Sequence, residues 1–283
     1  MEKSNSTDKS KKNLAEYQGD DRVVTSFELK AKLTETQSEP YIKAMSGIVG
    51  IDYACDGFRD GEVIVISGPT KNGKTLLSQT LTVNFAKKNI FSTWFSFEVP
   101  SRQFLDQFPA LPLIHMPLKL KAKDIEWFKD RAIESFLKYQ SRIIFIDHLH
   151  YLVDLVKRNN LSIEIGAIIR ELKTFAVENN FVIFLLCHTT KPKTDGEMSY
   201  ADIRDSSFIS QESDCCMMVK RTPKYGDNAA RISIEYHRRT GIMERLVYVT
   251  KQRGLLYESI APEQEVVSDS YRPPARGNVS GRG

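Results

Sequence analysis

No stretch of this sequence stays apolar for long. None of its hydrophobic runs approaches the roughly 18 residues of a membrane span, so no membrane segment is expected. The opening residues, MEKSNSTDKSKKN, lack the apolar centre of a secretory signal. Cysteine is scarce: Cys55, Cys187, Cys215 and Cys216 show no metal-type spacing. Cys187 and Cys215–Cys216 lie inside apolar runs, which suits reduced core thiols in a cytosolic protein. Neither sign of charge dominates. The net charge of +4 is a weak pull toward a polyanion and says nothing of the fold. Internal repeats are also lacking. What is present is 41% hydrophobic and 27% charged residues over 283 positions, a globular composition long enough for one large domain.

Three regions are expected. Residues 1–44 read as a disordered polar leader with a short amphipathic helix over 24–36, whose apolar members are Phe27, Leu29 and Leu33, followed by a linker at Pro40. Residues 45–258 alternate apolar runs with helical patterns. Strands are expected at Val63–Ser67, Thr93–Phe97, Arg142–Ile146, Phe181–Cys187 and Cys215–Val219. Helices are expected at Lys74–Lys87, Asp124–Tyr139 and Ser162–Glu178. This alternation predicts an α/β fold, a mainly parallel sheet flanked by helices. Arg231–Tyr236 and Glu244–Thr250 flank HRRTGIM and read as a C-terminal β-hairpin. Residues 259–283, rich in Pro, Gly and Ser, read as a disordered tail.

GPTKNGKT, from Gly68 to Thr75, fits G-x-x-x-x-G-K-[ST] between the apolar strand EVIVIS and a helix, the context of a P-loop. Gly68, Pro69, Thr70, Lys71, Asn72 and Gly73 form the loop that curls backbone N–H groups around phosphates, and the helix N-terminus adds positive potential. Lys74 reaches the β- and γ-phosphates, and Thr75 offers its hydroxyl to Mg²⁺. The expected cofactors are therefore ATP and Mg²⁺. Asp147 follows four apolar residues in RIIFIDHLHYL, the form of a Walker B acid on the metal side. Glu98, after TWFSF, stands where a carboxylate can face the γ-phosphate and act as general base or water-positioning group.

Together these segments resemble the RecA-type motor of replicative hexameric helicases: the DnaB family, phage primase-helicases and mitochondrial Twinkle. SGIVGIDYACDGFRDGEVIVISGPTKNGKT, FSFEVPSRQF, IFIDHLHYL, FVIFLLCHTTKP, SYADIRDSSFISQESDCCMMVKR and HRRTG occur in the family's order. The resemblance implies a RecA-like core, a catalytic Glu98, and His188 as the polar sensor that ends its strand. Gln211 is a second candidate to sense the nucleotide. The resemblance also puts single-stranded DNA contacts at Lys191, Lys193 and Arg204–Asp205, in a long polar loop lining a ring's channel. Lys157 and Arg158 form a second, less specific channel loop.

An arginine delivered to a neighbour's site is implied in HRRTG. Arg238 and Arg239 adjoin on a strand-like segment, so only one can enter that site. The pattern R-x-[ST]-G favours Arg238 and the pattern K-x-R-N-G favours Arg239; the RTG spacing makes Arg238 preferred. His237 replaces the usual Lys, and Ser206–Ser207 replaces the usual Ser-Gly pair. Residues 1–44 are too few for a primase or collar domain, and the Phe27–Leu33 helix is expected to dock on an adjacent subunit.

The resemblance implies an ATP-dependent DNA helicase, a homohexamer moving 5′ to 3′ along single-stranded DNA. A separate primase or replisome protein is the expected partner, in the cytoplasm or in a phage or organelle replisome. The alternatives are a RecA-, RadA- or KaiC-like ATPase without fork unwinding, and a loader in which ATP only controls assembly. Lys220, Arg221 and Tyr248 are candidates to stack on the base.

Overall fold

A computed structural model of the chain describes residues 16–19, 21–36, 41–122, 124–152, 161–188, 209 and 211–260, without the side chains of 161–163. Outside these lie most of the expected leader, the tail from residue 261, and Lys157, Arg158, Lys191, Lys193, Arg204 and Asp205. The chain divides into two compact units, residues 1–41 and 42–283. The first contains helix α1 (Ser26–Thr36), whose start is marked by the Glu28 N–H donating to Thr25 Oγ1 at 3.1 Å. Its apolar members Phe27, Leu29 and Leu33 are all exposed.

The second unit begins with a small ribbon, β1 (Lys43–Ala44) with β2 (Phe58–Arg59), around helix α2 (Val49–Cys55). There follow β3 (Val63–Ser67), α3 (Lys74–Ala86), β4 (Ser92–Ser96), α4 (Ser101–Asp106), β5 (Ile114–His115), α5 (Ile125–Tyr139), β6 (Ile143–Asp147), α6 (Leu161–Asn179) and β7 (Val182–Leu186). The chain then forms β8 (Cys215–Arg221), β9 (Ala229–His237), β10 (Met243–Gln252) and β11 (Leu255–Glu258). The sheet order is β11-β10-β9-β8-β3-β7-β6-β4-β5. The strands from β8 to β5 are mutually parallel, and β8, β9, β10 and β11 continue as an antiparallel meander.

The parallel strands are buried on both faces, which is why VIVIS, IIFID and VIFLL read as apolar runs without alternation. Their side chains still alternate in space. Ile64, Ile66, Trp94, Phe145 and Phe184 pack with Ile51, Leu77, Leu81, Phe85 and Phe104 from α2, α3 and α4. Val63, Val65, Phe95, Ile144 and Ile146 pack with Phe128, Ala132, Ile165, Ile169 and Leu172 from α5 and α6. The two cores clamp β3 and β6, so the loops at their C-terminal ends leave a rigid base, the edge where open α/β sheets bind ligands.

Some expected boundaries shift. Asp124 is the N-cap of α5, not its first residue; its carboxylate accepts from the Trp127 N–H at 2.8 Å. Asp147 is the last residue of β6, paired in register with Ser96 of β4, whereas the expected strand ended before it. The β10–β11 hairpin was not expected; Arg253 and Gly254 both have positive φ, as a tight two-residue turn requires, and Gly254 was its only local signal.

Candidate nucleotide site

The P-loop folds as its spacing predicts. It joins β3 to α3, and Gly73, at φ 100°, is the helix N-cap. Gly68 has φ 143°, and a Cβ there would sit 2.2 Å from the Val219 carbonyl oxygen of β8, so only glycine fits. The loop is braced from the same strand: the Arg221 N–H donates to Asn72 Oδ1 at 2.9 Å. Lys74 Nζ donates to the carbonyls of Gly68 (2.9 Å) and Pro69 (3.1 Å), which holds its charge at the mouth of the loop. Burial lowers the Lys74 pKa, against the opposing pull of Asp147 and Glu98.

A cleft of about 390 Å³ gathers Thr70, Lys71, Gly73, Lys74, Thr75, Glu98, Asp147 and His188. Five strand and helix ends converge there because β3, β7, β6 and β4 are neighbours in the sheet. Thr75 Oγ1 donates to Asp147 Oδ2 at 3.1 Å, setting two hard oxygens side by side. This donor pair fits Mg²⁺, which takes one or two protein oxygens and keeps the rest for phosphate and water. A larger cavity of about 640 Å³, beside β5 and lined by His115, Trp127 and Tyr139, includes no P-loop residue or candidate acid.

Asp147 is 3% exposed, and burial, then the neighbouring Glu98, push its pKa up to about 6. A raised carboxylate pKa adds stability in full below the unfolded value near 3.8, and that stability is lost as pH rises through about 6. Ionised Asp147 therefore costs about 3 kcal/mol in the absence of a cation, at about 1.4 kcal/mol per pKa unit. We expect Asp147→Asn, whose amide keeps the Thr75 contact, to raise stability in Mg²⁺-free buffer by up to that amount at pH 8 and by little at pH 4. Urea unfolding at both pH values measures it; a gain at pH 4 equal to that at pH 8 would refute the assignment.

His188 is brought to the cleft, and its pKa is lowered by burial, then by Lys74, so the ring is neutral at pH 7. Among the described residues, its buried Nδ1 has no hydrogen-bond partner. Sequence reasoning missed His148, whose Nδ1 lies 3.6 Å from Glu98 Oε2 and whose ring meets His188 edge-to-face at 4.4 Å. Burial first, then His188, lowers the His148 pKa to about 3. Its place next to the Walker acid in IDHLHYL was the available signal. Gln107, which also lines the cleft and accepts from Gln79 Nε2 at 3.0 Å, had none.

Several expectations change. Gln211 is exposed and does not line the cleft; its backbone carbonyl receives the Arg238 guanidinium. Arg238 and Arg239 are in the turn after β9, not on a strand. Arg239 is tied into its own subunit: Nε donates to Glu62 Oε1 (2.7 Å) and Nη2 to the carbonyls of Cys55 (2.8 Å) and Gly57 (2.7 Å). Arg238 is exposed. Of the base-stacking candidates, only Arg221 lines the pocket of about 200 Å³ beside the P-loop, with Asn72, Leu76 and Lys251. Tyr248 lines a different pocket, with Thr222 and Tyr225.

Comparison with known proteins agrees with this geometry. Residues 113–256, just over half of the chain, match the family model described as DnaB-like helicase C terminal domain. A probable replicative DNA helicase of Trieres chinensis is 23% identical over 239 residues, covering 71% of this chain and 52% of the relative. The replicative DNA helicase DnaB of Treponema pallidum is 25% identical over 213 residues, covering 62% and 47%. The chain thus spans about half the length of the curated relatives it matches. Among solved structures, a DnaB-like replicative helicase described with its interactions with primase superposes with TM-score 0.69 at 18% identity, covering 89% of this chain and 71% of that one. The ATPase domain of G40P superposes with TM-score 0.68 at 17% identity, covering 83% and 98%. At such identities the superpositions establish the fold alone, and the family assignment rests on the sequence match. This chain belongs to the DnaB-like helicase C-terminal domain family.

Proposed function

We propose that the chain is an ATP-driven DNA helicase motor, a homohexamer that moves along single-stranded DNA. The observation that carries this reading is the meeting of Lys74, Thr75, Asp147, Glu98 and His188 at one cleft in a domain of this family. Lys74 and the N–H groups of the P-loop hold the triphosphate. Thr75 and Asp147 would hold Mg²⁺, which supplies neutralising charge to the β- and γ-phosphate oxygens. Glu98 orients the attacking water and accepts its proton. Neutral His188 donates its ring N–H to a γ-phosphate oxygen and passes its loss to the segment that follows. Arg238 completes the site of the next subunit.

Lys191, Lys193 and Arg204–Asp205, with Lys157 and Arg158 as a second set, are assigned to phosphates of the DNA on family resemblance. A separate primase or replisome protein is the proposed partner. No described helix is long and apolar enough to cross a membrane. The four buried free cysteines suit a reducing compartment.

The test is steady-state ATP hydrolysis with and without single-stranded DNA, followed by unwinding of a forked substrate. We expect DNA to stimulate turnover at least about tenfold, as a stepping motor requires. Turnover that ignores DNA would move the assignment to a regulatory or recombination-type ATPase.

A further inference from the structure

Away from the nucleotide cleft, three ligand-type side chains converge in the core. Cys55 ends α2, Cys215 begins β8 and His237 ends β9. Cys215 and His237 are direct cross-strand partners, so their side chains leave the sheet on the same face. The two sulfurs and a ring nitrogen all lie within 4.8 Å of one another, and the three residues are at most 1% exposed. A tetrahedral zinc site needs its ligand atoms about 3.3–3.8 Å apart, given metal bonds of about 2.0–2.3 Å. Side-chain rotation covers that difference.

The imidazole is prepared for such a role. Its Nε2 is buried and, among the described residues, has no hydrogen-bond partner. On the other side of the ring, Nδ1 lies 3.0 Å from Thr240 Oγ1. That hydroxyl already donates to the Ala54 carbonyl at 2.8 Å, so toward the ring it accepts. The Thr240 N–H also donates to Nδ1, at the longer distance of 3.3 Å, and this contact favours the opposite tautomer. A metal at Nε2 would select the tautomer with the proton on Nδ1, where the Thr240 hydroxyl backs it and the longer N–H contact is given up. Glu62 Oε1 lies 3.8 Å from Nε2, paired with Arg239 and outside the mutually close trio, and would have to swing in to serve as a fourth ligand. Two thiolates and one carboxylate, set against a divalent cation and the Arg239 guanidinium, leave no net charge in the core.

We propose that Cys55, Cys215 and His237, completed by Glu62, form a structural site for a thiophilic divalent cation, zinc by ligand type. Coordination releases the two thiol protons to solvent. The site ties α2 and β8 to the end of β9, whose next residue is Arg238, so the metal fixes the base of the turn that carries this arginine. This inference stands apart from the helicase reading, since neither DNA nor ATP enters its test.

The experiment is metal analysis of the purified chain after equilibration with zinc and dialysis into metal-free buffer, paired with cobalt(II) substitution. The expected result is about one zinc per chain. The cobalt form should show visible tetrahedral bands and thiolate charge-transfer absorption. Cys215→Ser and Cys55→Ala should lose both while keeping the wild-type far-UV circular dichroism and a cooperative unfolding transition. Thr240→Val, which removes only the backing hydroxyl, should weaken zinc affinity about 10–100-fold. If the cysteine variants fail to fold, the wild-type cobalt spectrum and the Thr240→Val affinity decide. A folded wild-type chain that retains well under one zinc, or whose cobalt form lacks thiolate absorption, overturns the proposal. So do zinc retention at full stoichiometry in folded Cys215→Ser, and an intact mass showing a Cys55–Cys215 disulfide.

Discussion

Arg238→Ala is expected to lower DNA-stimulated ATP turnover by about 10³–10⁵-fold, the range seen when an arginine that stabilises phosphoryl-transfer charge is removed. The residue is exposed on the turn after β9, and its guanidinium donates to the Gln211 carbonyl. Losing it should leave thermal stability nearly unchanged. The adjacent residue should behave in the opposite way. Arg239→Ala strips the guanidinium from Glu62, which is 7% exposed, and from the carbonyls of Cys55 and Gly57. Its expected cost is about 1–3 kcal/mol of stability, from a charged hydrogen-bonding group left unmatched. Turnover per folded molecule should fall far less than in Arg238→Ala. Mixing settles whether the arginine acts between subunits: Arg238→Ala protomers supply an intact cleft and Lys74→Ala protomers an intact arginine. A mixture that recovers turnover supports delivery in trans. An Arg238→Ala chain that hydrolyses ATP normally, or loses activity only as it unfolds, would remove the residue from the site.

Glu98→Gln should reduce turnover by about 10²–10⁴-fold with ATP affinity preserved. Glutamine keeps the shape of the side chain and its reach toward His148 but cannot take a proton from water. Because the Glu98 side chain is 42% exposed, the substitution should change stability little. Lys74→Ala is the contrast, since it removes the charge that holds the triphosphate and should act on binding first. The measurement is single-turnover hydrolysis beside equilibrium nucleotide binding. A loss smaller than about tenfold would mean that the proton goes elsewhere, with Asp147 and His148 the nearest candidates. A large loss of affinity would recast Glu98 as a binding group.

Much of the cleft was legible in the chain because its parts are local. A glycine-rich turn between an apolar strand and a helix has few alternatives, and Gly68 shows why: no side chain fits under the Val219 carbonyl. Val63–Ser67 was placed to the residue, since a strand buried on both faces reads as an unbroken apolar run. Asp147 ends such a run, and Glu98 follows its strand by two residues, so both acids could be placed at the sheet edge that lines the cleft. The edges of elements were less legible. Asp124 capping α5 and Asp147 closing β6 depend on one hydrogen bond or one register pair, which composition does not encode.

Other features depend on which strands become neighbours. From spacing alone, Arg238 and Arg239 looked like alternatives of one kind; only the approach of α2 and Glu62 to the β9 turn separates them. Gln211 had a suitable side chain in a suitable segment, yet it does not line the cleft. His148 gained its place through the contact of β6 with β4 and β7, which brings it against Glu98 and His188. Cys55, Cys215 and His237 show the limit most plainly. Their spacing in the chain matches no metal motif, and a β8–β9 register pair with a helix end above it makes them neighbours. The sequence by itself determined the P-loop, the acids that end apolar strands and the α/β alternation, because short-range sterics and burial patterns encode them. Strand order and register decided which distant side chains meet, because those contacts arise only when the whole sheet closes around its two cores.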